Sequence, residues 1–327
     1  MDSVLNCLVS DSLAPGEYLE RFLKAARERL GFEYGTAFRS PIQALETALG
    51  CLDLQAGEGV ALSALSPGWA FRALEAGGFK PVWLDVDPST GCLAPDSRER
   101  AVGGSAKALF LAEPWGILPD PAQVQEFGLP VIEDASTSLG ATAGELKAGS
   151  LGTLSIVGME HASAITSGGG ALLFANGRRE AQVLRNASEN LLPEQKLSDM
   201  NAALAHSQLR DMERFLEKRR ELSEAYGQSL ARSHKKALAQ VAEGESSRFG
   251  CVVVLESGVK DVRAYARKKD VQTAMAFEDS CVGLGFVPDG TCPVAASLLN
   301  RAVAFPLHPR IGKTGAQRIA KVLATLP

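Results

Sequence analysis

Leu129-Pro130-Val131-Ile132-Glu133-Asp134-Ala135 is an apolar, β-branched run that closes on two acids. Residues 130–134 are therefore a predicted strand. After it come Leu139-Gly140-Ala141, Gly149-Ser150-Leu151-Gly152 and Ile165-Thr166-Ser167-Gly168-Gly169-Gly170. By position alone, Asp134 reads as a carboxylate satisfied at the carboxyl end of a parallel strand, where open α/β sheets form their crevice. Around it, no lysine occurs between Lys147 and Lys196.

Working outward, residues 60–65, 81–87 and 108–112 read as further strands, and residues 41–52 and 69–76 have helical period. That alternation predicts an α/β fold with a mainly parallel sheet flanked by helices. Asp120-Pro121 is a helix start, with Asp as N-cap and Pro as first helical residue. Residues 154–159 and 171–175 are two more expected strands. Over 198–233, Met200, Ala203, Leu204, Met212, Phe215, Leu216, Leu222 and Tyr226 recur mostly three or four apart, the pattern of one long helix. It leads into strands at 249–255 and 271–277 and helices at 258–269 and 314–326. The expected division is a large domain over 1–212, then a connecting helix and small C-terminal α+β domain over 213–327.

With 327 residues, of which 46% are hydrophobic, the chain can bury a large core. The formal net charge of −4 argues against a nucleic-acid partner. The basic clusters Lys218-Arg219-Arg220, His234-Lys235-Lys236 and Lys268-Lys269 read as solvated helix faces. Six scattered cysteines without a Cys-x-x-Cys pair predict free thiols and no metal site. No run approaches the roughly 18 apolar residues of a membrane span, and no basic segment leads into an apolar one at the start, so the expected location is the cytoplasm, away from membranes.

The quoted stretch resembles the core of the DegT/StrS-type sugar aminotransferases. Further matches are Pro81-Val82-Trp83-Leu84-Asp85-Val86-Asp87-Pro88, Gly116-Ile117-Leu118-Pro119-Asp120, Ser198-Asp199, Arg219-Arg220 and Phe305-Pro306-Leu307-His308-Pro309. The resemblance implies a fold-type-I, pyridoxal-phosphate (PLP) transferase-like architecture and amination of nucleotide-linked keto-sugars. It places Asp134 against the pyridine nitrogen, keeping the ring protonated, and Thr137 where the family usually has a ring-contacting Gln.

The lysine that forms the Schiff base is replaced. Counting forward from Gly149-Ser150-Leu151-Gly152 its position is Ser163; counting back from Gly169-Gly170 it is Ala162. A one-residue deletion before Gly169 reconciles both and favours Ser163. The family's Ser-Gly-Thr phosphate turn reads Ser40-Pro41-Ile42, its second serine reads Gly158, the asparagine contributed by the neighbouring subunit reads Glu194, and the ring-stacking aromatic reads Pro67, with Trp69 nearby but out of register. Three charge-assisted hydrogen bonds lost at about 1.5 to 3 kcal/mol each remove on the order of 5 to 9 kcal/mol of phosphate binding, roughly a thousandfold to a millionfold.

His161, two residues before the aligned position, is the candidate base of a different chemistry. Some relatives replace the lysine by His and dehydrate keto-sugars with pyridoxamine phosphate (PMP), and imidazole titrates near neutral pH. His206 and His308 read as packing or surface residues. Gly168-Gly169-Gly170 reads as a tight turn, since no Lys and no helix start follow it. Ser136, Thr137 and Ser138 have no base at a recognisable spacing.

Two expectations follow. The first is a family member that has lost PLP-dependent transamination, has no cofactor (or PLP or PMP bound non-covalently), and acts as a binding or partner protein: a homodimer, or a heterodimer with an active paralogue, with a nucleotide-sugar as candidate ligand. The second is an active PLP- or PMP-dependent aminotransferase or dehydratase acting on a nucleotide-linked 4-keto-sugar.

Overall fold

A computed structural model describes residues 2–327 apart from 12 and 162. Helices α1 (Asp2–Val9) and α2 (Glu17–Leu30) precede β1 (Tyr34–Phe38), α3 (Pro41–Cys51), β2 (Gly59–Ser63), α4 (Gly68–Ala76) and β3 (Lys80–Leu84). Next come α5 (Ser97–Gly103), β4 (Ala106–Ala112), α6 (Pro121–Glu126) and β5 (Val131–Asp134). A short hairpin, β6 (Thr142–Ala143) and β7 (Leu146–Lys147), leads to β8 (Leu154–Gly158), β9 (Ala171–Ala175) and α7 (Arg178–Glu189).

These strands form a seven-stranded sheet in the order β1-β9-β8-β5-β4-β2-β3. From β8 to β3 the neighbours are parallel, and β9 alone runs against its two neighbours. The fold is α/β. Every residue of β2, β8 and β9 is buried, as befits strands covered by helices on both faces. The antiparallel edge strand β1 was not read from the sequence, because it is short and carries Gly35.

Helix starts follow their capping residues. Ser40 Oγ accepts from Gln43 N (3.3 Å) ahead of Pro41, and Asp120 Oδ1 accepts from Ala122 N (2.9 Å) ahead of Pro121. The helix expected over 198–233 is two: α8 (Asp199–Arg210) and α9 (Met212–Ser233), joined at Asp211. Asp211 closes α8 through its N–H and pairs its carboxylate with Arg214 (2.9 Å) in the first turn of α9, where a negative charge suits the helix dipole. The amphipathic pattern runs through the break because both helices lay apolar faces on the core.

A second, antiparallel sheet has the order β10 (Lys236–Ala237), β11 (Cys251–Val254), β13 (Ala302–Phe305), β12 (Ala274–Met275). Helices α10 (Lys260–Lys268), α11 (Pro293–Arg301) and α12 (Lys313–Leu323) accompany it. The strand expected over 271–277 shrinks to β12. Its apolar ends, Val271 and Phe277, are buried from turns instead. Val252, Cys281, Ala302 and Ala304 join Leu62, Phe110 and Ile132 in one core, so the second sheet packs directly on the first unit. All six cysteines are free thiols. Among the described residues no helix is long and apolar enough to cross a membrane, and no three His, Cys, Asp or Glu side chains gather to hold a metal.

Candidate functional site

Strands β5 and β8 are parallel neighbours, with Asp134 opposite Ile156, so their carboxyl ends bring Asp134, Ser136 and Gly158 together. Ser136 binds the cluster. Its N–H donates to Asp134 Oδ1 (3.1 Å), its hydroxyl donates to the same oxygen, and its Oγ accepts from Gly158 N (2.7 Å). Ala164 N donates to Ser136 O (2.7 Å), which draws in the loop before β9. Ser163 Oγ then lies 3.6 Å from where a Cβ on Gly158 would stand. Three positions singled out from the sequence, Asp134, Gly158 and Ser163, therefore meet at the carboxyl ends of β5 and β8. The alternative lysine position, Ala162, lies outside the described residues. Burial pushes the Asp134 carboxyl up to about 6, against the pull of the Ser136 hydrogen bonds.

Glu133, the preceding residue, points to the other face of β5. It accepts from the N–H groups of Gly149 (2.5 Å), Leu151 (2.8 Å) and Gly152 (2.8 Å), and so holds the Gly149–Gly152 turn. Buried beside it, Glu113 is pushed well above the usual carboxylate range by burial and then by the charge of Glu133. Burial also pushes the Glu133 carboxyl up, against the pull of Glu113 and the three amides, and Glu113 Oε1 has no hydrogen-bond partner among the described residues. Glu113 also binds the Ser138 hydroxyl. This pair was invisible in the sequence, since it depends on the register of β4 beside β5.

The remaining family positions are arranged less favourably for a phosphate. Ser40 Oγ is committed to Gln43 N, Pro41 has no N–H to offer, and Ile42 packs on the core. Gly158, Ala171 and Phe38 are in register across β8, β9 and β1, and Phe38 bridges in turn to Lys196. Arg39 N donates to Gln195 O (3.1 Å); Glu194, the residue before it, is exposed. Thr137 turns its hydroxyl to the Glu113 carbonyl (2.8 Å). Pro67 is covered by the chain itself: Gly68 N donates to Asp279 O (3.0 Å) and Cys281 N to Ser66 O (2.8 Å), and a Cβ on Gly68 would stand 2.2 Å from Leu284 Cδ1. Trp69 meets Phe110 edge-on in the core. The glycine triplet is a tight turn, with φ of 76°, 132° and 108°.

Ser163 faces a cleft of about 430 Å³, the size of small-molecule sites. His161, Ser163, Trp115, Arg219, Phe249, Gly250, residues 272–274 and residues 304–308 line it. Trp115 takes the left-handed conformation (φ 56°), costly for a bulky side chain. It is held by Nε1 donating to Ala276 O (3.2 Å) and by Gly250, where any Cβ would stand 2.2 Å from the indole. His308, read as a packing or surface residue, lines the cleft, and burial, then Arg219 and Arg310, lower its pKa. His206 lies on α8, outside the lining.

No lysine lines the cleft among the described residues. Asp134 suits the ring nitrogen of PLP, but nothing at Ser163 can form an imine, and Pro41 and Gly158 withhold the N–H and hydroxyl of a phosphate site. The residues present do not fit imine-bound PLP.

The DegT/DnrJ/EryC1/StrS aminotransferase family matches residues 1–324, and the chain belongs to that family. It is 24% identical to the dTDP-4-dehydro-2,3,6-trideoxy-D-glucose 4-aminotransferase of Saccharopolyspora spinosa, over 98% of this chain and 92% of that protein. Among solved structures, the fold is that of a DegT/DnrJ/EryC1/StrS aminotransferase from Brucella abortus (TM-score 0.88, 19% identity, 98% of this chain and 93% of that one). It is likewise that of the E. coli GDP-4-keto-6-deoxy-D-mannose-3-dehydratase with bound hydrated PLP (TM-score 0.86, 18% identity, 98% and 95%).

Proposed function

We propose that this member of the sugar aminotransferase family has lost lysine-dependent transamination and serves as a binding or partner protein in nucleotide-sugar metabolism. One observation carries the reading: the position facing Asp134, Ser136 and Gly158 is a serine, and the cleft it opens on has no lysine. The cleft itself persists, which supports a ligand, and a nucleotide-sugar fits the names of the relatives. Support for a dimer comes from α1, where Leu5, Leu8 and Val9 are exposed. The test is to incubate the purified chain with PLP, an amino donor and nucleotide-linked 4-keto-sugars. The reading expects no amino-sugar, together with either saturable nucleotide-sugar binding or co-purification with an active paralogue. Turnover at ordinary enzyme rates overturns it.

A second reading, keto-sugar dehydration with PMP, is favoured by His161 sharing the cleft with Ser163. Substituting His161→Asn decides it: dehydration that disappears in the variant supports this reading, and unchanged turnover removes it.

A further inference from the structure

Arg219 is the middle residue of a basic triplet whose neighbours behave as surface residues. Lys218 pairs with Glu221 (2.6 Å), and Arg220 pairs with Glu217 (2.7 Å) and Glu245 (3.0 Å), all in solvent. The helical turn carries Arg219 to the other face, where it is 8% exposed and has no carboxylate partner among the described residues.

Its surroundings fix the guanidinium in place without neutralising it. Nη1 donates to the carbonyls of Phe249 (2.5 Å) and Leu307 (3.2 Å), and the group lies over the Phe249 ring, 4.7 Å from its centroid. Neither Nε nor Nη2 hydrogen-bonds to any described residue. The cleft that Arg219 lines contains no Asp or Glu; its polar members are His161, Ser163, Gln272, Thr273 and His308. A buried cation without a counter-ion is costly to keep, and one stacked with its fork partly unused is preorganised for a planar or tetrahedral oxyanion.

We propose that Arg219 anchors an oxyanion group, a carboxylate or a phosphate, of a small ligand in this cleft, with Ser163 and His308 as the neighbouring polar contacts. This deepens the preceding reading by naming the chemistry of the ligand. It rests on that reading only for the cleft being a binding site.

The competing account makes Arg219 a brace that ties α9 to two carbonyls. Calorimetric titration of the purified full chain with inorganic pyrophosphate and, separately, with succinate separates the two. The proposal expects saturable, salt-sensitive binding of at least one anion, with the preferred probe telling phosphate from carboxylate. Arg219→Gln keeps donors for the carbonyls and removes the charge, so it should weaken binding about tenfold or more. Gln272→Glu, at an exposed position in the wall, supplies a carboxylate near Arg219 and should also weaken binding; it carries the test should Arg219→Gln not fold. Failure of both anions to bind the wild-type chain, or equal binding by wild type and Gln272→Glu, overturns the proposal. Neither probe contains a pyridine ring, so the result is read independently of cofactor binding and of turnover.

Discussion

Glu133 and Asp134 are consecutive residues of one strand, and they have had different fates. Glu133 is fully buried and accepts from three backbone amides. Asp134 lies at the carboxyl end of the same strand, where Ser136 is its hydrogen-bond partner among the described residues. On the proposed reading, the contrast is that of a family fold outliving its chemistry. The acid that shapes the turn holds three backbone amides, while the acid at the strand end has Ser136 as its hydrogen-bond partner.

The largest effect should come from the structural side. Glu133→Ala would leave three buried N–H groups and Glu113 without their acceptor, and should cost about 3 to 5 kcal/mol in chemical denaturation. A loss under about 1 kcal/mol would erase the contrast. Asp134 should behave oppositely. Its carboxyl titrates near 6 in the fold against an ordinary 3.8, so protonation favours folding: its contribution is present below about pH 4 and lost as pH rises through 6. Asp134→Asn should therefore be more stable than wild type at pH 7, on the order of 2 kcal/mol, and the gain should vanish below about pH 4. Thermal melts across that range check both sign and window.

A smaller effect sharpens the ligand side. A Cβ on Gly158 would stand 2.8 Å from Ser136 Oγ, so restoring the family's serine with Gly158→Ser should cost about 1 kcal/mol by displacing that hydroxyl from Asp134. Adding Ser136→Ala should recover most of it, a coupling that a double-mutant cycle measures. Smallest of all is Arg220→Ala, which removes two solvent-exposed ion pairs and should change stability by no more than about 0.5 kcal/mol.

Much of the sheet was legible because β2, β5, β8 and β9 are buried apolar runs whose periodicity leaves little choice. Asp211 was not, since the apolar pattern crosses it, and β1 and residues 271–277 were misjudged where a glycine or a turn decided the outcome. Within the site, Asp134, Gly158 and Ser163 were singled out through the family resemblance. Glu113 was not, because strand register brings it to Glu133. Arg219 was read as solvated along with its neighbours, although one helical step of about 100° separates a surface arginine from a buried one.

The central claim, that the frame persists without lysine-based cofactor chemistry, is tested most directly by absorbance and fluorescence titration of the purified chain with PLP and with PMP, followed by dialysis. The account predicts no saturable binding of either at micromolar concentrations and no imine band. A PLP imine band that survives dialysis, or tight retention of PMP, would contradict it.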